Sequence, residues 1–515
     1  MPRKPKAKDG LTAGQRVALY EAEQEKKRLQ MQASADVDAA TVTENGENDA
    51  VKEIKKAPRA LPKPQHATVK VDLAVEVGRI RPMHAMCNGP RSFGSDISHL
   101  FREAGIPLVR FDDTDTCMSG RAVDVSRIFK DFSADPADPQ NYDFSLTDEY
   151  VAAAYNSGAK VIFRLGESRG FANMAKGVAA PEDIDLWCRV CINIIKHYND
   201  YWANGYAYGI DRFEIWNHDN RLSGRELVAE LELYRRLATA IKLYDESLRV
   251  GGMCFDSFDD SLREFIRFCA KTHTPIDFIT VSSFDGDPQA VSRFVRDIVP
   301  VLKNLGFFGA EIIIGKWAYI DSSVAVGKDA VARILSGAGT ENCAKKEALF
   351  SAQSSIKGAS YTLATMLELQ SNPDVSTACF YDAQPELSSW CSICSRSGIP
   401  QKTFYTFKAF GELYRAGREV LCVSEQTEGY AHTGIYASAA MSESGQGYVL
   451  IASFGGCGVV DLRLDGIPSD VYTADIYMLD GVKDMTLGDS VAISGAKKRL
   501  LLNLSEYGAA LIKLY

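Results

Sequence analysis

The feature that most limits what this chain can become is an alternation. From about residue 80 to about residue 420, short apolar runs take turns with longer segments of helical periodicity, and they do so eight times in order. The runs are "MHAMCNG", "IPLVRFDD", "AKVIFRLGES", "DRFEIWNHDN", "LRVGGMCFD", "IDFITVSSFD", "AEIIIGKW" and "STACFYDAQ". The helical segments between them fall over 96–104, near Tyr150, and over 183–202, 225–245, 262–272, 290–305 and 345–370. Runs that are apolar throughout suit strands buried on both faces, and consecutive parallel strands need a crossover that a helix supplies. Eight such units predict a closed (β/α)8 TIM barrel, an α/β fold.

The two ends of the chain have a different texture. Beyond about residue 421 the helical pattern stops, and "GYVLIASFGG", "GVVDLRLDGI", "VYTADIYMLD" and "AALIKLY" follow one another with Gly, Asp and Pro between them, which predicts a β-sandwich. The alternating stretch over 69–77 is a candidate to join it. Residues 1–66 are rich in Lys, Glu, Ala and Gln and poor in large apolar side chains, so they read as an arm, mostly disordered, with one helix over 13–32. The resulting division is an arm over 1–66, a barrel over 67–420 and a sandwich over 421–515. At 515 residues and 46% hydrophobic the chain can bury one large core and one smaller one.

Composition removes several classes of function. A formal charge of −9 argues against nucleic-acid binding, which needs a basic surface. No run reaches the ~18 uninterrupted apolar residues of a membrane span, and no signal peptide is apparent, so a soluble, cytoplasmic protein is expected. Most of the twelve cysteines sit inside apolar segments, as reduced and buried thiols do. Cys188 and Cys191 lie on a helical pattern, whereas Cys391 and Cys394 lie in a loop-like stretch, and a joint zinc site would have to unite pairs far apart in sequence. No metal or cofactor is expected.

In a (β/α)8 barrel the chemistry gathers at the C-terminal ends of the strands. The residues there are His84 and Asn88; Arg110, Asp112 and Asp113; Arg164 and Glu167; Trp216, Asn217, His218 and Asp219; Ser282 to Phe284; Lys316 and Trp317; and Tyr381 and Asp382. Aromatic faces beside paired hydrogen-bonding groups suit a sugar: rings stack on pyranose faces and polar groups read hydroxyls. Carbohydrate is therefore the expected ligand, with His84, Asn88, Trp216, Asn217, Trp317, Tyr381 and Asp382 as its candidate contacts. Arg110 and Arg164, inside apolar strands, need buried acids such as Glu214 or Glu167 as partners.

These segments, in their order and spacing, resemble the clan A glycoside hydrolases and within them family 39, the β-xylosidase and α-L-iduronidase group. The resemblance runs from about residue 68 to the C-terminus and includes "NYDFSLTDEYV", "HYNDYWANG", "FEIWN" and "FYTFKAFGELYRAG". It implies a barrel with a small β-sandwich beside it and a retaining mechanism with two carboxylates about 5–5.5 Å apart. In the family the acid/base is the Glu of Trp-Asn-Glu-Pro after strand four, where this chain has Trp216, Asn217, His218, Asp219. The nucleophile is the Glu of a Glu-Trp motif after strand seven, where this chain has Gly315, Lys316, Trp317.

A lysine cannot replace that nucleophile, because an ammonium ~4 Å from a developing oxocarbenium ion costs several kcal/mol even at a protein-like effective dielectric. The preferred expectation is a pseudoenzyme that binds carbohydrate or serves as a scaffold. Any sugar would be an anionic one, drawn by Lys316 and neighbouring arginines. Two alternatives stay open: a β-glycosidase acting through His218 with Asp219, Glu167, Asp112 or Asp382 as bases, and an interaction protein whose residues 1–66 dock a partner. Lys316 is also expected to find an ion pair with Glu167 or Asp219 that fills the sugar site.

Overall fold

The structure, a computed structural model, describes residues 65–515 apart from 93, 117–119, 169–179, 219–222, 257–258, 426–433, 457 and 472. The expected arm and its helix over 13–32 thus lie outside the described residues, as does Asp219.

Eight parallel strands close into a barrel: Ala85–Cys87, Leu108–Arg110, Lys160–Leu165, Arg212–Ile215, Arg249–Phe255, Phe278–Asp285, Glu311–Tyr319 and Val375–Phe380. They are called barrel strands one to eight below. Several of the helices between them carry an apolar stripe toward the barrel, whereas Ile356–Ser371 is buried on nearly every side. Helix Ile184–Asn199, for example, starts at Asp183, whose side chain accepts from the Leu186 N–H, and buries Leu186, Trp187, Val190, Ile194 and Ile195 along with Cys188 and Cys191.

One helix differs from its expectation. The continuous segment over 345–370 is two helices, Thr340–Ser354 and Ile356–Ser371, and a further helix Lys328–Ser336 precedes them. Ser355 is the reason for the break: its backbone is extended and its hydroxyl accepts from the Gly358 N–H at 3.2 Å, so it begins a new helix.

Apart from a two-stranded hairpin of Asp115–Thr116 and Gly120–Arg121, the remaining strands form one nine-stranded sheet, curled so that its inner face closes on itself like a sandwich. The stretch at the start of the described chain does belong to it: Gln65–Arg79 pairs antiparallel with Arg418–Glu425 and parallel with Gly458–Asp465. Alternation explains the inner core, to which Ala67, Val69, Val71 and Leu73 contribute from one strand and Val460, Leu462 and Leu464 from its neighbour. The outer face is not left to water. Tyr436, Ala440, Leu450, Ala452, Ala509 and Leu511 pack on helices Ile356–Ser371 and Lys402–Ala416, so these two helices serve the barrel and the sheet together.

Candidate functional site

The barrel interior is layered, and its layers change from apolar to charged toward the C-terminal end. Ala85, Leu108, Ile162, Phe278 and Ile313 belong to its apolar part, and Cys87 reaches the Gly315 carbonyl at 3.1 Å. Above it Arg110 crosses the barrel to Glu214, donating from Nε at 2.7 Å and from an Nη at 3.0 Å, while its other Nη donates to the Gly315 carbonyl at 3.1 Å. Thr280 Oγ1 also donates to Glu214. A bidentate, fully buried pair of this kind needs every lone pair and proton satisfied, and here the strand-seven backbone completes it.

Gly315 makes this geometry fit. A Cβ there would stand 3.1 Å from Arg110 Nε, and the strand is bulged between Ile314 and Lys316. The bulge changes the alternation, so Lys316 turns into the barrel mouth while Trp317 turns outward. Trp317 is fully buried there, edge to face with Phe380 at 5.0 Å and near Tyr361 at 6.4 Å.

Lys316 Nζ forms ion pairs with Asp112 Oδ2 and, at 3.1 Å, with Asp113 Oδ2, and it lies 4.8 Å from the centre of the Tyr381 ring. Burial alone would lower the Lys316 pKa, but the Asp112 and Asp113 carboxylates outweigh it and raise it. Asp112 shows the converse. Burial works against its charge, yet Lys316, Arg110 and Arg164 hold its carboxyl well below the usual range. The expected partner of Lys316 was Glu167 or Asp219, of which Asp219 lies outside the described residues. The strand-two acids take that place because they rise from the adjacent layer above Arg110, whereas Glu167 is occupied by the Ser126 backbone N–H at 2.8 Å and hydroxyl at 2.7 Å.

Arg164 likewise pairs with Asp124 at 2.7 Å and Asp112 at 4.0 Å, not with Glu167 or Glu214. Two acids beside this cluster are pushed upward. Burial and the nearby Asp124 raise Glu167 to about 7, against the Ser126 hydrogen bonds. Burial raises Asp382 to about 7, opposed by hydrogen bonds from Gln384 and Ser388. Gln384 ties the mouth together, its Nε2 donating to Asp382 at 3.1 Å and to the Asp113 carbonyl at 3.0 Å.

The strand-four end forms a second corner. His218 Nδ1 donates to Glu230 at 2.7 Å, and Trp216 Nε1 donates to the other oxygen of that carboxylate at 3.1 Å. His218 Nε2 is buried with no hydrogen-bond partner among the described residues. Trp216 packs edge to face on Trp187 at 5.6 Å and is closed to solvent. At strand six, Ser282 Oγ donates to Asp256. Asn88 Oδ1 accepts from the Asp112 N–H at 2.8 Å, so Asn88 braces strand two, and Asn217 is buried at the same rim.

His84 does not join the mouth. It precedes strand one, at the N-terminal end of the barrel, where it lies against Phe410 and Tyr414 and its Nε2 meets the Gly105 carbonyl at 3.1 Å. Burial lowers its pKa to about 3, so it is a neutral core histidine. Glu230, Gln384 and Asp256 were not foreseen. Glu230 left a trace, since it shares a buried helical stripe with Tyr234, Leu237 and Ile241, where a carboxylate demands a partner. No cluster of His, Cys, Asp or Glu able to hold a metal occurs among the described residues.

Comparison with known proteins converges on this barrel. Residues 119–301 match the family model for glycosyl hydrolases family 39. A beta-xylosidase of Geobacillus stearothermophilus is 30% identical over 113 residues, 20% of this chain and 21% of that enzyme. A beta-xylosidase of Caldicellulosiruptor saccharolyticus is 28% identical over 143 residues, 27% of each chain. The chain thus matches about a fifth to a quarter of the length of these curated relatives. Among solved structures, a glucosidase from Croceicoccus marinus superposes with a TM-score of 0.69 at 19% identity, over 87% of this chain and 99% of that one. The GH39 enzyme from Xanthomonas axonopodis pv. citri gives 0.61 at 15% identity, over 89% and 99%. At such identities the structural likeness is one of fold.

Proposed function

We propose, from the premise that this chain is a glycoside hydrolase family 39-like protein, that it is a catalytically silent homologue retained for binding carbohydrate or for scaffolding. The observation that carries this reading is the ion pairing of Lys316 with Asp112 and Asp113. The nucleophile's place holds a cation, and that cation is neutralised by the acids nearest to it. A carboxylate nucleophile needs the opposite arrangement. The buried ion pairs also occupy the mouth with charge that a neutral sugar could not displace without leaving it unpaired. Assays with a broad panel of aryl glycosides are expected to show no turnover above background, in the native chain and in Lys316→Ala alike. Turnover that disappears in His218→Ala would overturn the reading.

One observation favours a second reading. A carboxylate that fixes a histidine's Nδ1–H leaves Nε2 as a base, and the Glu230–His218 pair has this form. With Glu167 and Asp382 raised to about 7, the chain also carries acids able to keep a proton near neutrality. Inverting hydrolysis by water would use such groups. Inversion of the anomeric centre, followed by NMR, is the result that distinguishes it from a retaining contaminant.

Two further features belong to the proposal. Ten described cysteines are free and no described helix is long and apolar enough to cross a membrane, which supports a reducing, cytoplasmic setting that cell fractionation would check. Residues 1–66 are proposed to dock a protein partner, and a pull-down unchanged by their deletion would remove that idea.

A further inference from the structure

The barrel's opposite end carries a cavity that the hydrolase reading does not use. It lies where strands three and four begin, between helix Ser145–Asn156 and the segment entering strand four, and its volume is about 450 Å³. Val151, Tyr155, Lys160, Tyr208, Ile210 and Asp211 line it. Ligand clefts run roughly 300–1,000 Å³, so the space suits a small ligand. Gly158 and Gly209 complete its wall, and a Cβ on either would meet nothing within 4 Å, so no side chain fills the space beside them.

The tyrosines are held as a stack. Tyr198 and Tyr206 are near-parallel at 6.3 Å, Tyr206 and Tyr208 at 4.6 Å, and Tyr155 leans on Tyr208 at 4.4 Å. Asp148 anchors the inner end, accepting from Tyr198 Oη at 2.9 Å and Tyr206 Oη at 3.4 Å. The stack therefore ends in Tyr155, a ring 49% exposed and tilted by 36° on Tyr208, whose apolar face is open to a ligand. Beside it, Lys160 supplies donors at one strand start and Asp211 supplies acceptors at the next. Asp211 is itself paired with Arg212 at 3.0 Å, and Arg212 with Glu311 at 3.6 Å, so the charges around the platform alternate in sign and leave it flanked by a donor and an acceptor.

We infer that this cavity is a second carbohydrate site, taking a neutral pyranoside whose apolar face covers Tyr155 while its hydroxyls bridge Lys160 and Asp211. The inference rests on the reading of the chain as carbohydrate-directed, and is independent of whether the barrel mouth hydrolyses anything. Full-length protein titrated calorimetrically with xylotriose and with cellotriose tests it. Saturable binding is expected with at least one of them, weakened about tenfold in Tyr155→Ala, the equivalent of ~1.4 kcal/mol, restored in Tyr155→Phe and unchanged in Lys316→Ala. Tyr155 is half exposed, so its variants are expected to melt with the native chain. Binding undiminished in Tyr155→Ala, binding lost in Lys316→Ala, or no binding of either sugar at about 10 mM, a Kd ceiling far weaker than most specific sites, would overturn it. The hydrolysis panel answers the other question separately: turnover there would sink the silent-homologue reading and leave this site standing.

Discussion

The interior of the barrel and the interior of the curled sheet are built from opposite materials. Among the described residues, the sheet's core is a cluster of aliphatic and other apolar side chains, among them Val69, Val71, Leu462, Leu464, Leu500 and Ile512. The barrel encloses a charged column of Arg110, Glu214, Arg164, Asp112 and Lys316. Both are closed to solvent, so the difference is not one of burial. An apolar interior gains about 25 cal/mol for each Å² of surface removed from water, whereas buried ions at best recover their desolvation cost. A chain that only needed stability would fill both interiors alike. The charged column therefore marks the part of the molecule whose composition packing alone does not explain, and the sheet marks the part that answers to packing.

The sharpest way to break this contrast is to remove one charge from the column. Arg110→Ala would leave Glu214 buried against Thr280 without its bidentate partner, and a loss of about 3–5 kcal/mol is expected in urea unfolding. The paired replacement Arg110→Met with Glu214→Leu removes both charges, and should cost clearly less than the single change. If the double variant were the less stable, the column would be a net source of stability and the contrast would fail.

In the sheet the same experiment takes a simpler form. Leu462→Ala opens a cavity among Val69, Val460 and Leu502, with an expected loss of roughly 2–4 kcal/mol. Because nothing charged changes there, the dependence of stability on pH should keep its shape and only move downward. A changed pH profile in this variant would mean that the sheet and the charged column are coupled through helices Ile356–Ser371 and Lys402–Ala416.

The same contrast decides how much could be read from the sequence. Apolar periodicity carries the architecture, so the eight strands, their order and the strand-only texture after residue 421 were visible without coordinates. Strand ends were visible too, because an apolar run stops where polar residues begin, as at Asp112, His218 and Asp382. Partner choice was not. Lys316 was expected to pair with Glu167 or Asp219, whereas its ion pairs among the described residues lie with Asp112 and Asp113, because a bulge at Gly315 rotates it and no periodicity reveals a bulge. His84 was grouped with the strand ends, yet only three residues of its run are strand and it precedes them. Glu230 was passed over as one more helix acid. Its position on the buried stripe of its helix was the available sign.

The finest prediction concerns pH and sets Asp382 against Asp112 within one mouth. Asp382 has a folded pKa raised to about 7, above the ~3.9 of an unfolded aspartate. The folded state therefore holds the extra proton between those values, and stability falls as pH rises from about 4 toward 7. Asp112 is shifted the other way, so its contribution is complete above about pH 4 and is lost only as acid carries the pH down through its folded pKa. Asp382→Asn removes the first effect and keeps an oxygen for the Gln384 amide. Thermal melts should then show the variant gaining on the native chain by on the order of 2–3 kcal/mol between pH 5 and pH 8, with a smaller gain below pH 5. An equal gain at both pH values would mean that burial of the Asp382 carboxylate is not what the folded mouth opposes, and that the acid titrates there as freely as one on the surface.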